Sequence, residues 1–227
     1  FGLTGKFDKV WRSDEFKAYA STIIVLAFFI TVPVYFYSSQ DLEKAFRDTL
    51  FQIVSLITTT GFVSADYTSY HDGLTLIFFM LLFLGASAGS TAGGIKFVRH
   101  LTFFKNSWLE FKRIVHPRAV VPLKINGDRV TGKIITHIMN FLLIYLMIFV
   151  TGSVVISLMG YDILTSFGAV ATCLGNVGPG IGKVGPIYNF AFFDPYSKTI
   201  LSFLMLLGRL ELFTILVLFT PYFWRAN

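Results

Sequence analysis

Two short stretches set a glycine among hydroxyl, thiol and amide side chains: Thr59-Thr60-Gly61-Phe62 and Cys173-Leu174-Gly175-Asn176. A cation leaving water loses its hydration shell, and only oxygen ligands at close range replace it. A strand of backbone carbonyls aimed at an axis does this without net charge, so an ion can enter and still leave. Glycine suits such a strand because it adopts left-handed backbone angles at little cost, and threonine adds a hydroxyl oxygen. Neither stretch carries the Asp or Glu ring expected of a divalent-cation pore, nor the Lys or Arg expected of an anion pore. Lys183 and Asp66 sit further out and could tune entry.

A third stretch, Gly85 to Gly94, contains only Gly, Ala, Ser and Thr, and it follows eleven apolar or Thr residues from Leu74 to Leu84. Gly85, Gly89, Gly93 and Gly94 weaken a helix by roughly 1 kcal/mol each relative to Ala. Ser87, Ser90 and Thr91 can satisfy the freed backbone groups locally, and Lys96 follows. Such a loop, small in cross-section and low in local stability, fits a narrow pore and moves under modest force. Other readings of the same residues exist. The spacing of four between Gly85, Gly89 and Gly93 also fits a small-xxx-small helix-packing face. "GASAG" fits a nucleophile elbow, which needs a strand and a sheet that nothing here supplies. "GSTAGGIK" lacks the Gly-Lys-Ser/Thr ending of a phosphate loop. Arg209 is the other costly residue, ten residues into an apolar run, where a charge usually faces a cavity or a partner. Pairing with Glu211 is disfavoured, because residues two apart do not share a helix face.

The elements that must hold these residues follow from hydrophobic length. Ala18–Tyr37, Ile134–Met159 and Thr199–Trp224 each match the roughly 20 residues that cross a bilayer. Two amphipathic runs, Glu43–Ile57 and Ile163–Thr172, are too short to cross. Asp41 and Asp162 stand where helix caps belong. The order span, half-helix, Thr/Gly loop, span is therefore written twice, with Gly61 and Gly175 114 residues apart. Half-helices that stop at mid-depth leave irregular backbone there, which is tolerated only in protein or along a water-filled cavity. Their C-terminal ends add partial negative charge to that cavity. For one copy alone, a surface helix or half of an ordinary span would serve equally; two copies in one order favour re-entrant loops.

Composition agrees with a membrane protein: 54% hydrophobic, 14% charged, with 26 Phe. The net charge of +6 is not spread as in a nucleic-acid binder. Lys96–Lys133 holds nine Lys/Arg against two acids, whereas Ser38–Gly73 and Gly160–Lys198 together hold four against seven. By the positive-inside rule the 96–133 loop faces the cytoplasm. The single Cys173 excludes an internal disulfide framework, and the four scattered His residues have no metal-ligand spacing. The polar, mixed-charge start at Phe1 suggests a piece of a longer protein.

The repeated unit resembles the pore unit of potassium channels. In detail it resembles the Trk/Ktr/HKT family of potassium transporters, through "TTTGF" (58–62), "GASAGSTAGGIK" (85–96) and "LGRLELFTI" (207–215). The likeness covers essentially the whole chain, as the third and fourth of four units. It implies an all-α membrane protein with two tandem pore units: a cytoplasmic segment 1–17, a unit at 18–104, a basic cytoplasmic connection at 105–133 and a unit at 134–227. Gly61 and Gly175 occupy the places of the family's filter glycines, so K⁺ is expected at Thr60, Gly61, Leu174 and Gly175. "TCLGN" departs from a Thr-rich filter, which matters little if the ligands are carbonyls. The resemblance makes 85–94, with Lys96, a gate lying across the path, with Arg209 contacting its carbonyls. Implied function is K⁺ uptake across the inner membrane, with no enzyme activity and no organic cofactor. Expected partners are membrane lipids, an N-terminal half of the same protein, a second copy in a homodimer, and a cytosolic nucleotide-binding regulatory subunit; nucleic acid is not one. A secondary transporter of a small solute or of Na⁺ built on half-helices is the alternative, and an intramembrane enzyme using Ser87 a third.

Overall fold

The computed structural model describes residues 11, 13–38, 41–119 and 121–224; most of the expected segment 1–17 lies outside them. Among the described residues the regular elements are helices, apart from one hairpin of two-residue strands. Helix α1 (Asp14–Ser38) leads to a short helix α2 (Leu42–Ile57) and, through a 3-10 turn at Tyr67–Ser69, to α3 (Asp72–Leu81). Helix α4 (Phe97–Val115) follows a non-helical stretch, and a hairpin of β1 (Lys124–Ile125) and β2 (Asp128–Arg129) precedes the second unit. That unit repeats the first: α5 (Gly132–Leu158), α6 (Ile163–Gly175), a 3-10 turn at Gly182–Val184, α7 (Pro195–Arg209) and α8 (Leu212–Leu218), with a last turn α9 (Pro221–Trp224).

Helices α1 and α5 are long and apolar enough to cross a bilayer. The outer faces of both are apolar and exposed, as at Phe28, Phe29, Leu143 and Met147, which is the surface a lipid environment requires. The two half-helices pack inward. Ile53 and Leu56 of α2 and Ala169 and Leu174 of α6 are fully buried in one continuous core. Asp162 caps α6 by accepting the Thr165 N–H at 3.0 Å. Asp41 occupies the cap position of α2 without a side-chain cap bond.

Three expectations are corrected. The apolar run 199–224 is not one continuous helix: α7 and α8 meet at 114°. Helix α7 stops because Glu211 adopts φ 62°, ψ 128°, a left-handed conformation that no continuing helix allows. The second half-helix does not end at Thr172 but runs through Gly175, so Cys173, Leu174 and Gly175 are helical rather than loop. Finally, α4 continues to Val115, so the boundary expected at 104/105 falls inside a helix.

Candidate functional site

The two half-helices end in the same backbone figure. In the first, Thr58 closes α2, Thr59 turns left-handed (φ 54°), and Gly61 does so again (φ 76°). The N–H groups of Thr60 and Gly61 fold back onto the Ser55 carbonyl at 2.9 and 3.4 Å. In the second, Asn176 turns left-handed (φ 53°) and Gly178 follows at φ 117°. Val177 N–H donates to the Thr172 carbonyl at 3.0 Å, and Gly178 N–H to the Thr172 hydroxyl at 2.9 Å. Thr59 therefore corresponds to Asn176 and Gly61 to Gly178, an offset of 117 residues rather than 114.

The two turns touch. A Cβ on Gly61 would overlap the Val177 carbonyl oxygen, and one on Gly178 would lie 3.8 Å from the Gly61 Cα. An open cleft of about 790 Å³ runs along them, bordered by Thr59, Thr60, Cys173, Asn176, Val177 and Gly178, with Lys198 also on its wall. Of the residues singled out from sequence, Thr59, Thr60, Cys173 and Asn176 are brought to one cleft. The others are engaged elsewhere. Phe62 gives its carbonyl to the Ser55 hydroxyl at 2.6 Å, and its ring is exposed. The Cys173 carbonyl accepts the Asn176 N–H at 3.1 Å. The Leu174 carbonyl lies hard against Gly208, where any side chain would collide. Gly175 is buried, and its oxygen would be 2.6 Å from a Cβ on Gly93.

Val177 and Gly178 lie in the loop, 172–178, that the sequence places along a cavity, yet they were not singled out as site residues. A signal existed: in Asn-Val-Gly-Pro-Gly the Asn tolerates the left-handed region and the glycine falls two residues later, as in Thr59-Thr60-Gly61.

The glycine stretch sits against both turns. After α3 the chain leaves helix at Leu82 and returns to it at Phe97. Leu84 and Ile95 form a parallel bridge, with Gly85 N–H donating to the Ile95 carbonyl at 2.8 Å and Phe97 N–H to the Ala86 carbonyl at 3.0 Å. Ser90 accepts the Ala92 N–H at 3.1 Å, so a hydroxyl does substitute locally for helix bonds. Ser87 accepts through its carbonyl from Ser90 N–H at 3.0 Å, while Thr91 and Gly89 are exposed. Gly93 N–H donates to the Thr59 hydroxyl at 3.3 Å. A Cβ on Gly93 would stand 2.6 Å from both the Gly175 oxygen and the Asn176 Cβ. Gly94 takes φ 69° beside Gly175.

The cation that binds the stretch is Lys96, not Arg209. Lys96 Nζ donates to the Ser90 and Ala92 carbonyls at 2.6 Å each. Arg209 is exposed at the end of α7 and makes no hydrogen bond or ion pair among the described residues. Its position follows from the break after Leu210, which carries the guanidinium out of a continuous span. Glu211 pairs with Arg99 at 2.5 Å, and that guanidinium lies 3.8 Å over the Phe141 ring of α5. On the other flank, Glu15 of α1 accepts the Ala88 N–H at 2.6 Å.

Residues 16–225 match the family TrkH, described as a cation transport protein. The chain is 38% identical over 229 residues to the Trk system potassium uptake protein TrkH of Salmonella typhimurium, covering 98% of this chain and 46% of that protein. It is 34% identical over 186 residues to the Trk system potassium uptake protein TrkG of Escherichia coli, covering 82% of this chain and 38% of that one. The crystal structure of the potassium transporter TrkH from Vibrio parahaemolyticus superposes with a TM-score of 0.90 at 35% identity, over 99% of this chain and 47% of that chain. The chain thus spans about half the length of the relatives it matches. It is an all-α membrane protein of tandem potassium-channel-like pore units, and it belongs to the TrkH family of cation transport proteins, within the Trk/Ktr potassium transporters.

Proposed function

We propose that this chain supplies two of the loops of a K⁺ filter, in a transporter that takes up potassium across the cell's inner membrane. The observation that carries the reading is the abutment of Gly61 and Gly178 beside an open cleft, at the inner ends of two half-helices. Relatives named potassium uptake proteins support the cargo. The proposed ion-facing oxygens belong to Thr59, Thr60, Asn176 and Val177, with Gly61 and Gly178 permitting the turns. Cys173, Leu174 and Gly175 act instead by ending the half-helix, whose C-terminal carbonyls leave partial negative charge near the path. Carbonyl oxygens at fixed spacing replace the hydration shell of a dehydrated monovalent ion without holding it permanently.

In the same reading the 85–94 stretch is the gate, Lys96 is the group that holds it together, and loop 96–133 is cytoplasmic. The open cleft is closed by a further pair of pore units. A second copy and a cytosolic nucleotide-binding subunit acting on the basic connection complete the assembly. The chemistry is conduction, with K⁺ as the cargo and no bond made or broken.

The test is Gly61→Ser and Gly178→Ser in the intact transporter, with K⁺ and Na⁺ uptake measured side by side. Discrimination between the two ions falls in both variants. Unchanged discrimination in correctly inserted protein overturns the reading.

A further inference from the structure

We propose that Asp48, Gln52 and Ser55 of α2 are positioning residues that set the ion discrimination of the Thr59–Phe62 turn; the inference rests on the filter reading above. These three residues follow the spacing i, i+4, i+7 and so share one face of the helix. All three are buried, at 8%, 1% and 5% exposure. Polar groups buried in a membrane-embedded helix are expensive unless they are hydrogen-bonded. Here each reaches the chain segment that returns from the turn. Ser55 hydroxyl donates to the Phe62 carbonyl at 2.6 Å, Gln52 Nε2 to the Ala65 carbonyl at 2.7 Å, and Asp48 Oδ1 accepts from the Ser64 hydroxyl at 3.2 Å. The segment from Phe62 to Ala65 belongs to no helix or strand. Its course is therefore set by this row of side-chain bonds.

The second unit holds its corresponding segment differently. At the 117-residue offset, Asp48 corresponds to Thr165 and Ser55 to Thr172. Thr172 accepts from Gly178 N–H at 2.9 Å and Thr165 from Lys183 N–H at 3.0 Å. Between them Gly168 lets the Ile181 backbone press directly on the helix, so close that a Cβ would collide with its carbonyl oxygen. Backbone against backbone leaves little freedom. In the first unit the return segment stands off at side-chain length. Rotation of the Phe62 peptide, and with it the aim of the neighbouring carbonyls, is limited by Ser55 and Gln52. Gln52 Oε1 is buried with no partner among the described residues.

The experiment uses the intact transporter and compares KM for K⁺ and for Na⁺, with membrane-inserted protein quantified. Ser55→Ala and Gln52→Met each lower the K⁺-over-Na⁺ preference by about five- to tenfold, the effect of one lost hydrogen bond at the filter. Ser55→Thr, which keeps the hydroxyl, restores the preference; a purely structural role would not show this in the ratio. Ser64→Ala, an exposed site that leaves the helix intact, lowers the preference less, and it decides the matter if the buried variants fail to accumulate. Gly61→Ser separates the two readings. If it leaves the preference unchanged, the filter assignment fails. If it lowers the preference while Ser55→Ala, Gln52→Met and Ser64→Ala do not, this inference alone is overturned.

Discussion

Replacing Gly93 by Ala, beside a matched Gly89→Ala, asks whether the glycine stretch rests on the filter turns as a gate. Both residues lie in the same loop, and neither has a left-handed φ. The added methyl at Gly89 meets nothing within 4 Å. At Gly93 it would stand 2.6 Å from the Gly175 oxygen and the Asn176 Cβ, where ordinary contact begins near 3.4 Å. The loop must retreat by most of an ångström, and the Gly93 bond to the Thr59 hydroxyl lengthens with it. Overpacking of this kind costs about 1–3 kcal/mol. The cost falls only on the seated loop, because a withdrawn loop has no neighbour to strike. Seated and withdrawn populations therefore shift by about five- to hundredfold toward withdrawn. Stiffening of the chain by losing a glycine, about 0.4–1 kcal/mol, is common to both variants. The difference between them isolates the contact. Rubidium uptake into proteoliposomes holding the intact transporter, without any activating subunit, is the assay. Gly93→Ala raises basal flux and Gly89→Ala leaves it near wild type. Equal flux in the two variants, or a fall in Gly93→Ala with normal insertion, refutes the seating argument.

Lys96→Met removes the donor to two loop carbonyls and raises basal flux by about tenfold, whereas Arg209→Ala, which breaks no bond among the described residues, has the smaller effect; the reverse order in the same flux assay would return the gate contact to Arg209. Asp194, at the cap of α7 outside the membrane, is held at about 2 by hydroxyl donors from Ser197 and Tyr161. A depressed carboxylate stabilises the fold above the unfolded value of about 4 and loses that contribution as pH falls through the folded one. Thermal unfolding of the wild type thus weakens between pH 4 and 2 more than that of Asp194→Asn, and parallel curves would refute the assignment.

Features governed by local composition were legible in the sequence. Helices α1 and α5 follow from apolar length, and α2 begins within a residue of its expected start. The break after Leu81 follows from ten consecutive small residues. Features governed by a distant partner were not. Cys173-Leu174-Gly175 is an unremarkable continuation of an apolar helix, and its end is decided by Asn176 turning left-handed while Thr172 captures Gly178. The run 199–224 is apolar but for Arg209, Glu211 and a few small polar residues, yet it bends where Gly208 meets the Leu174 carbonyl and where Arg99, 112 residues away, takes hold of Glu211. Lys96 was singled out with the glycine stretch, and its partners, the Ser90 and Ala92 carbonyls, lie only six and four residues before it; what the spacing did not show is the turn of the loop that brings its ammonium to them. At the two turns, the residue types singled out the Thr59–Phe62 stretch, but the register of the second turn depended on a left-handed Asn that spacing alone did not single out.

The end of α6 carries more than its own turn. Gly61 of the first turn packs on the Val177 carbonyl, Gly93 of the broken stretch on Gly175 and Asn176, and Gly208 of α7 on Leu174. Three elements from distant parts of the chain thus meet four consecutive residues, each through a glycine where an added Cβ would stand 2.6 Å or less from its neighbour. Close-packed backbone of this kind transmits displacement instead of absorbing it. Withdrawal of the 85–94 stretch removes one of the three supports from Gly175 and Asn176. The Asn176 side chain, which donates to the Met205 carbonyl of α7 at 3.0 Å, then holds the turn together with Thr172, which accepts from the Val177 and Gly178 N–H groups. On the filter and gate reading proposed above, gate opening and the aim of the filter carbonyls are coupled at this point, and an Asn176→Ala variant should alter ion discrimination and basal flux together, whereas separate changes would show the two to be independent.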